Sequence, residues 1–394
     1  MLTEQQIAQY QQDGYLILRS QFSESEMQTL DSACEEHPPL DDGKPVGTYP
    51  QPGRYTLAKS SWNHPGFVGF AEHATIVGGA KALLEDEVYL TAYVMYDRTP
   101  GGKGLPAHHD YKRWRPVGSS VNWLFTVIPI CDFDEVTGQL FIAPGSHRLD
   151  RYTDRGEGVT HINEAVVPKP DDFIDPGLKR GDLLFMNMHL WHKAADNNSN
   201  QHRTGLFNKY AAQHCPPATG YFLFTDDIYD AFSDTGKELI AVHSNKKIET
   251  TRLLLHRNRD DQDEFFFVEK DGVLELPGGN TFFEDAIPDW DIGNYIGALQ
   301  KNVIRQIRLE TPWVSYIGDY DEEDHLCRIY GYPMNWNGFP VPYSEGKWVS
   351  KSELEKVQFK FGYEAATIKD WLKPGVIRGK GLTQAKSRVD QFAY

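Results

Sequence analysis

Between residues 88 and 212 the chain strings together short runs rich in β-branched and aromatic residues, each closed by Gly, Pro, Asn or Asp, and this rhythm limits its fold more than any other feature. The runs are VYLTAYVMY (88–96), SVNWLFTVIPI (120–130), GQLFIAP (138–144), GDLLFMNMHLW (181–191) and TGLFNKYAA (204–212). Residues of these types suit a pleated, half-buried surface, and the turns are too frequent for helices. Many short strands with turn signals between them predict an antiparallel sandwich or barrel. The segment TPGGKGLP (99–106) reads as a turn-rich loop.

Helices are expected before this region. Residues 3–36 read as two helices, one starting after Thr3 and the other after Ser23, with GYLILRS as a short strand between them. Residues 40–60 are rich in Pro and Gly and read as loop. Beyond about residue 213 the texture changes. HCPPATG leads into a mixed stretch, then TTRLLLHRN, EFFFVEKDGVLELPGG, a helix near 295–307 and HLCRIYGYPM, an α+β pattern. A chain of 394 residues exceeds one ordinary core. Two domains are therefore expected, 1–230 and 245–394, with the boundary near 225–245.

Composition narrows the function. A hydrophobic share of 40% and a charged share of 24% are those of a soluble globular protein. No apolar run is long enough to cross a bilayer, and the polar start MLTEQQIAQYQQDGY has no signal-peptide core. Cys34, Cys131, Cys215 and Cys327 are scattered without a CxxC pair, which suits a reducing cytoplasm and argues against thiolate metal sites. The net charge of −16 weighs against nucleic acid, although a basic pocket inside an acidic shell is compatible with it.

The triplet His108-His109-Asp110 follows the Gly/Pro-rich loop. Residues two apart on an extended strand share a side, so His108 and Asp110 can reach one metal while His109 points away. A third ligand is available from a strand bearing His189 and His192. Two histidines and one carboxylate leave open positions on a metal, the arrangement that non-haem Fe(II) oxygenases need.

Four ordered segments carry a resemblance: LTEQQIAQYQQDGYLILRSQFSESEMQTL, PGGKGLPAHHD, DFDEVTGQLFIAPGSHR and GDLLFMNMHLWHKAADNNSNQHRTGLFNKY. Over residues 3–215 the chain resembles the phytanoyl-CoA dioxygenase family. The resemblance implies a double-stranded β-helix, a cupin-like jelly roll with flanking helices, together with Fe(II), 2-oxoglutarate and O2. It implies His108, Asp110 and His192 as iron ligands and leaves His189 and His147 structural. Arg203, eleven residues after His192, matches the arginine that grips the distal carboxylate of 2-oxoglutarate. Halogenating relatives lack the carboxylate ligand, so Asp110 points to hydroxylation or a related oxidation.

Other residues are candidates by position. Tyr96 and Thr126 are expected beside the co-substrate and Asn122 beside the substrate, on strands lining the barrel; core packing is the alternative for all three. The basic–aromatic cluster Tyr111, Lys112, Arg113, Trp114 and Arg115 could hold an anionic substrate, with Arg113 and Trp114 foremost; a solvated turn is the alternative.

Residues 250–355 resemble a Nudix domain. RLLLHRNRDDQDEFFFVEKDGVLELPGGNTFFEDA is similar to its opening, and Gly279 precedes Asp285 with the spacing of the Nudix box. The helix ALQKNVIRQI departs from that box: Lys301 stands for its Arg, Asn302 for the adjacent Glu, and Arg305 and Gln306 for the paired glutamates. Those carboxylates hold Mg²⁺ in a hydrolase, so a Nudix-like domain without hydrolase activity is expected, serving as a cover or as a homodimer interface. An unrelated α+β domain is the alternative. The whole chain reads as a cytoplasmic dioxygenase acting on a small molecule. A Nudix-type diphosphate hydrolase and a non-catalytic cupin-like binding protein are the competing readings.

Overall fold

The structure, a computed structural model of the full chain, describes residues 1–36, 56–57, 64–110, 122–148, 152–154, 160–162, 168–214, 217, 220–281, 292–311, 314–334 and 346–373. It opens with α1 (Glu4–Asp13), whose start is closed by a capping box between Thr3 and Gln6. Gly14, in the left-handed region at φ 81°, ends the helix and turns the chain into β1 (Tyr15–Leu18). In α2 (Glu24–Glu36) a reciprocal pair caps the start: the Ser23 N–H donates to the Glu26 carboxylate and the Glu26 N–H to Ser23 Oγ.

Next come β2 (Thr56–Leu57), α3 (Pro65–Ala71), α4 (Ala74–Leu84), β3 (Val88–Arg98), β4 (Leu105–His108), β5 (Trp123–Pro129), β6 (Leu140–Ile142), β7 (Tyr152–Asp154), β8 (Thr160–Ile162), β9 (Leu183–Asn187), β10 (His192–Ala194) and β11 (Arg203–Ala212). They form a six-stranded major sheet, β1-β9-β5-β11-β3-β2, and a three-stranded minor sheet, β4-β10-β6; β7 and β8 pair with each other. Every pairing within the two larger sheets is antiparallel.

Alternation along the strands assigns the faces of the major sheet. Leu124, Ile128, Leu183, Phe185, Leu206 and Tyr210 pack outward with Phe67, Ile76 and Ala80 of the helices. A Cβ on Gly79 of α4 would stand 2.4 Å from the Phe185 ring, so only glycine lets this helix lie flat on the sheet. Phe125, Val127, Leu184, Met186 and Phe207 point inward and share a core with Leu140 and Ile142 of the minor sheet. The two sheets thus face each other as a β-sandwich of the jelly-roll kind, with flanking helices outside.

One expected strand is two elements. GDLLFMNMHLW does not run straight to His192: β9 ends at Asn187 and a turn carries His189. The Asn187 side-chain oxygen accepts the His189 N–H at 2.9 Å and its carbonyl accepts the Leu190 N–H at 3.0 Å. This is the turn chemistry that lets asparagine break a strand. Residues 40–55 and 58–60 of the expected loop lie outside the described residues, while 56–57 form β2.

The remainder contains α5 (Asp226–Ala231), α6 (Asp234–Lys237), β12 (Ile248–Arg259), β13 (Gln262–Lys270), β14 (Val273–Glu275), β15 (Gly278–Asn280), α7 (Ile292–Ile307), β16 (Ser315–Glu322), β17 (His325–Pro333), β18 (Gly346–Ser350) and α8 (Glu364–Trp371). A separate seven-stranded sheet follows the path β14-β13-β12-β17-β16, with β15 on β12 and β18 on β13. Its β12–β17 pair is parallel and the others antiparallel. Asp271-Gly272, both at positive φ, make the tight β13–β14 hairpin. One face is covered by α7 through Ile296, Leu299, Val303 and Ile307, the other by α8 through Ile368 and Trp371.

The two halves meet through aromatic contacts. Tyr89 of β3 lies 5.3 Å from Tyr221 in ring centroids, and Tyr221 lies 5.6 Å from Tyr316 of β16. Beside them the buried Arg328 guanidinium donates to both oxygens of Asp319, at 2.7 and 2.8 Å, and to the Tyr221 carbonyl at 2.8 Å. No helix among the described residues is long and apolar enough to cross a membrane.

Candidate metal centre

In the minor sheet His192 is directly opposite His108 on one neighbour and Ile142 on the other. Directly opposed residues share a face. Ile142 belongs to the core between the sheets, so both imidazoles point into that space. Asp110 joins them from just beyond β4, where its backbone N–H donates to the Met188 carbonyl at 3.2 Å. The ligand atoms of His108, Asp110 and His192 all lie within 4.8 Å of one another. His192 Nε2 stands 3.6 Å from Asp110 Oδ2.

The backbone also orients the rings. His108 Nδ1 lies 2.7 Å from the Pro106 carbonyl and His192 Nδ1 lies 3.0 Å from the Leu190 carbonyl. A carbonyl only accepts, so in each ring Nδ1 carries the proton and Nε2 keeps its lone pair for a metal. Two such nitrogens and one carboxylate oxygen are the donor set of a non-haem iron site with open positions. The residues present therefore fit Fe(II). His109 points away, its ring 5.0 Å from Trp191 and 6.4 Å from His189. His147 Nε2 meets the Gln11 carbonyl at 3.0 Å, a packing contact.

Arg203 opens β11 with its side chain buried and its guanidinium stacked 3.6 Å above the Phe133 ring. Its neighbours His202 and Thr204 are both held by the buried Asp97, at 2.8 Å each, which fixes the backbone that aims Arg203 inward. The Asn-rich loop before it is tied down by buried Asn197, whose amide donates to the carbonyls of Arg98, Thr99 and Gln201. Arg98, cross-strand from Arg203, donates to the Ala195 carbonyl at 2.6 Å.

Tyr96 also faces inward and meets Phe207 edge-on at 4.7 Å. Thr126 and Asn122 do not. Thr126 lies between Leu124 and Ile128 on the helix-covered face, fully buried, its hydroxyl donating to the Asn208 carbonyl at 3.3 Å. Asn122 donates to the Leu84 carbonyl at the end of α4, at 3.0 Å. The sequence expectation for both is corrected by strand alternation: Phe125 and Val127 take the inward positions. Tyr111, Lys112, Arg113, Trp114 and Arg115 lie outside the described residues. Two inward cations escaped the sequence reading, Arg98 and Lys209. Counting by twos from Arg203 along β11 would have found Lys209.

Residues 10–205 match the profile of the family described as Phytanoyl-CoA dioxygenase (PhyH). The chain is 28% identical over 229 residues to a methylphosphonate hydroxylase of Gimesia maris, covering 54% of this chain and 81% of that protein. Among solved structures, EctD from S. alaskensis with bound Fe is 22% identical with a TM-score of 0.44, covering 55% of this chain and 79% of that one. SnoK, a non-heme alpha ketoglutarate dependent carbocyclase from nogalamycin biosynthesis, is 20% identical with a TM-score of 0.45, covering 55% and 86%. The family profile runs from Tyr10 in α1 to Gly205 in β11 and so takes in the segments that bear the triad: over residues 10–205 the chain belongs to the phytanoyl-CoA dioxygenase family, oxygenases that use Fe(II), 2-oxoglutarate and O2.

Proposed function

We propose that this protein hydroxylates a small molecule, with release of succinate and CO2, in a site where His108, Asp110 and His192 hold Fe(II) and Arg203 anchors 2-oxoglutarate. The observation that carries the reading is the cross-strand pair His108 and His192, both with Nδ1 against a backbone carbonyl, beside Asp110. When bound, Fe(II) with 2-oxoglutarate supplies the oxidising power of the reaction. The chain's own residues hold and orient the reactants and exclude water. Arg203, stacked on Phe133 and permanently charged, can take a carboxylate through two parallel hydrogen bonds. Tyr96 and Phe207 supply an apolar wall beside it. A carboxylate at position 110 favours hydroxylation, and the hydroxylase named among the relatives supports the same reaction. Succinate release from full-length protein with Fe(II) and 2-oxoglutarate, measured across a panel that includes methylphosphonate, tests it. Succinate formation with no member of the panel oxidised would refute hydroxylation.

We further propose a division into an oxygenase domain, 1–230, and a Nudix-like, non-hydrolytic domain, 245–394. Two contacts support it. Asn302 donates to the Asn280 carbonyl at 3.0 Å, and Gln306 accepts the Gly278 N–H at 2.8 Å. Side chains standing where a Nudix enzyme needs carboxylates thus bind helix to strand. Asp285 lies outside the described residues. The Tyr89–Tyr221–Tyr316 contacts support a covering role for this domain over one end of the jelly roll. A homodimer through it, which light scattering would test, and a cytoplasmic location, which the free thiols Cys34, Cys131 and Cys327 favour, complete the proposal.

A further inference from the structure

Asp97 stands on the helix-covered face of the major sheet, yet it grips β11 on both sides of Arg203. Along β3 it shares the outward face with Met95, and in the register it is directly opposite Thr204. Its carboxylate is buried and only accepts: one oxygen takes the Thr204 hydroxyl and the other the His202 Nδ1–H, each at 2.8 Å. Arg203, between those two residues, shares the opposite face with Phe207 and so points into the sandwich. We propose that Asp97 is a positioning residue for the co-substrate: held from behind the sheet, the Arg203 guanidinium keeps one distance from the metal ligands and thereby selects a five-carbon 2-oxo diacid over a longer one. This rests on the oxygenase reading, with Arg203 as anchor, and deepens it.

The same short segment is pinned from a second strand. Just past β5 the Ile130 N–H donates to the Thr204 carbonyl at 3.0 Å, and the Cys131 thiol donates to the His202 carbonyl at 3.7 Å. Two residues further on, Phe133 lies 3.6 Å beneath the guanidinium, its own N–H tied to the Leu178 carbonyl at 3.0 Å. Gly205 makes room for that ring, since a Cβ there would stand 3.0 Å from Phe133 and 2.8 Å from the Phe207 ring. Carboxylate clamp, backbone and stacking ring together fix where the guanidinium stands. The other end of the span is fixed as well, because His108 and His192 are paired across the minor sheet.

A buried carboxylate costs stability unless its oxygens are hydrogen-bonded, a cost that an apolar side chain beside Met95 would not carry. What the charge at position 97 supplies is the hold on residues 202 and 204. That hold matters because a binding group works only where it is placed. An error of about 1 Å in placing a reacting group can cost on the order of a hundredfold, and one extra methylene in a diacid is an error of about that size. The structural alternative is a clamp that merely pins the loop leading into β11.

Calorimetric titration of the full-length protein, loaded anaerobically with Fe(II), separates these readings. The probes are 2-oxoglutarate and 2-oxoadipate, which is longer by one methylene. Wild type is expected to bind 2-oxoglutarate the more tightly, by roughly tenfold or more. Thr204→Val, which keeps the shape and removes the hydroxyl, and Asp97→Ala should each weaken 2-oxoglutarate by roughly tenfold and narrow its lead over 2-oxoadipate. Thr204→Ser should restore both the affinity and the lead. Iron content should be the same in all of these proteins, because the metal ligands lie outside β3 and β11; it also reports that the variants are folded. Should Asp97→Ala not fold, Thr204→Val decides alone. A clamp that only pins the loop would lower the melting temperature and leave both affinities at wild-type values. That result, an equal loss for the two acids, or no preference in wild type would overturn the proposal while leaving the oxygenase reading intact. Failure of the wild-type protein to bind 2-oxoglutarate would overturn both, and the same titration shows it first.

Discussion

His108 and His192 are direct cross-strand partners in the minor sheet, their ring centroids 4.3 Å apart. A hydrogen-bonded ladder therefore sets the spacing of two of the three metal donors, with little left to side-chain freedom. Rigid elements hold a constellation more tightly than loops do.

The turn before His192 should contribute to how firmly the metal is held. Asn187 shapes that turn, so Asn187→Ala removes the acceptor for the His189 N–H. We expect a loss of about 1–2 kcal/mol in stability and a weaker hold on Fe(II). Thermal denaturation and metal analysis of the variant check both. Unchanged iron affinity would show that β10 is positioned without the turn.

Arg203→Ala is expected to raise the 2-oxoglutarate KM by a large factor, equivalent to about 2–5 kcal/mol, and to disturb the primary substrate less. Steady-state succinate assays at varied 2-oxoglutarate measure it. Arg180 cannot take over, because both of its terminal nitrogens are bonded to Asp31.

The contact between the halves has its own signature. Arg328 and Asp319 form a buried bidentate pair, and Arg328→Met leaves the carboxylate without its guanidinium. Breaking such a pair by removing one partner costs about 3–5 kcal/mol. Denaturant unfolding should show the loss in the half that contains residues 248–373, and Asp319→Asn in the same background should recover part of it.

A pH effect is expected in the same half. Burial pushes the Glu364 carboxyl up to about 7 from an ordinary 4.5. One of its oxygens accepts the Phe361 N–H at 3.0 Å, and the other is buried with no hydrogen-bond partner among the described residues. The folded state holds this proton more tightly than the unfolded state. The stabilising contribution is therefore complete below about pH 4.5 and is lost as pH rises to about 7. Glu364→Gln should remove that slope and be the more stable protein at pH 8, by on the order of 3 kcal/mol. Denaturant midpoints of both proteins from pH 4 to 8 test the sign.

Much of this was legible in the sequence because it rested on local chemistry. The capping residues Thr3 and Ser23, the β-rich runs and the HxD triplet each carry their signal within a few residues. The faces were harder. Asn122 and Thr126 point at the helices because the alternation along β5 begins one residue away from where a functional reading would start it, and no local feature decides that phase. His189 and His192 fall on a turn and a new strand because one asparagine side chain caps the break, a contact invisible until the fold is known. Lys209 follows from Arg203 by strand period, but its place opposite Phe125 comes from pairing between strands far apart in sequence.

Iron analysis of protein reconstituted anaerobically with Fe(II) decides whether His108, Asp110 and His192 hold the metal, with succinate release as the second readout. One Fe(II) per wild-type chain is expected, and neither bound iron nor succinate from a folded Asp110→Ala or His192→Ala variant. Full iron occupancy with undiminished succinate release in Asp110→Ala would contradict it.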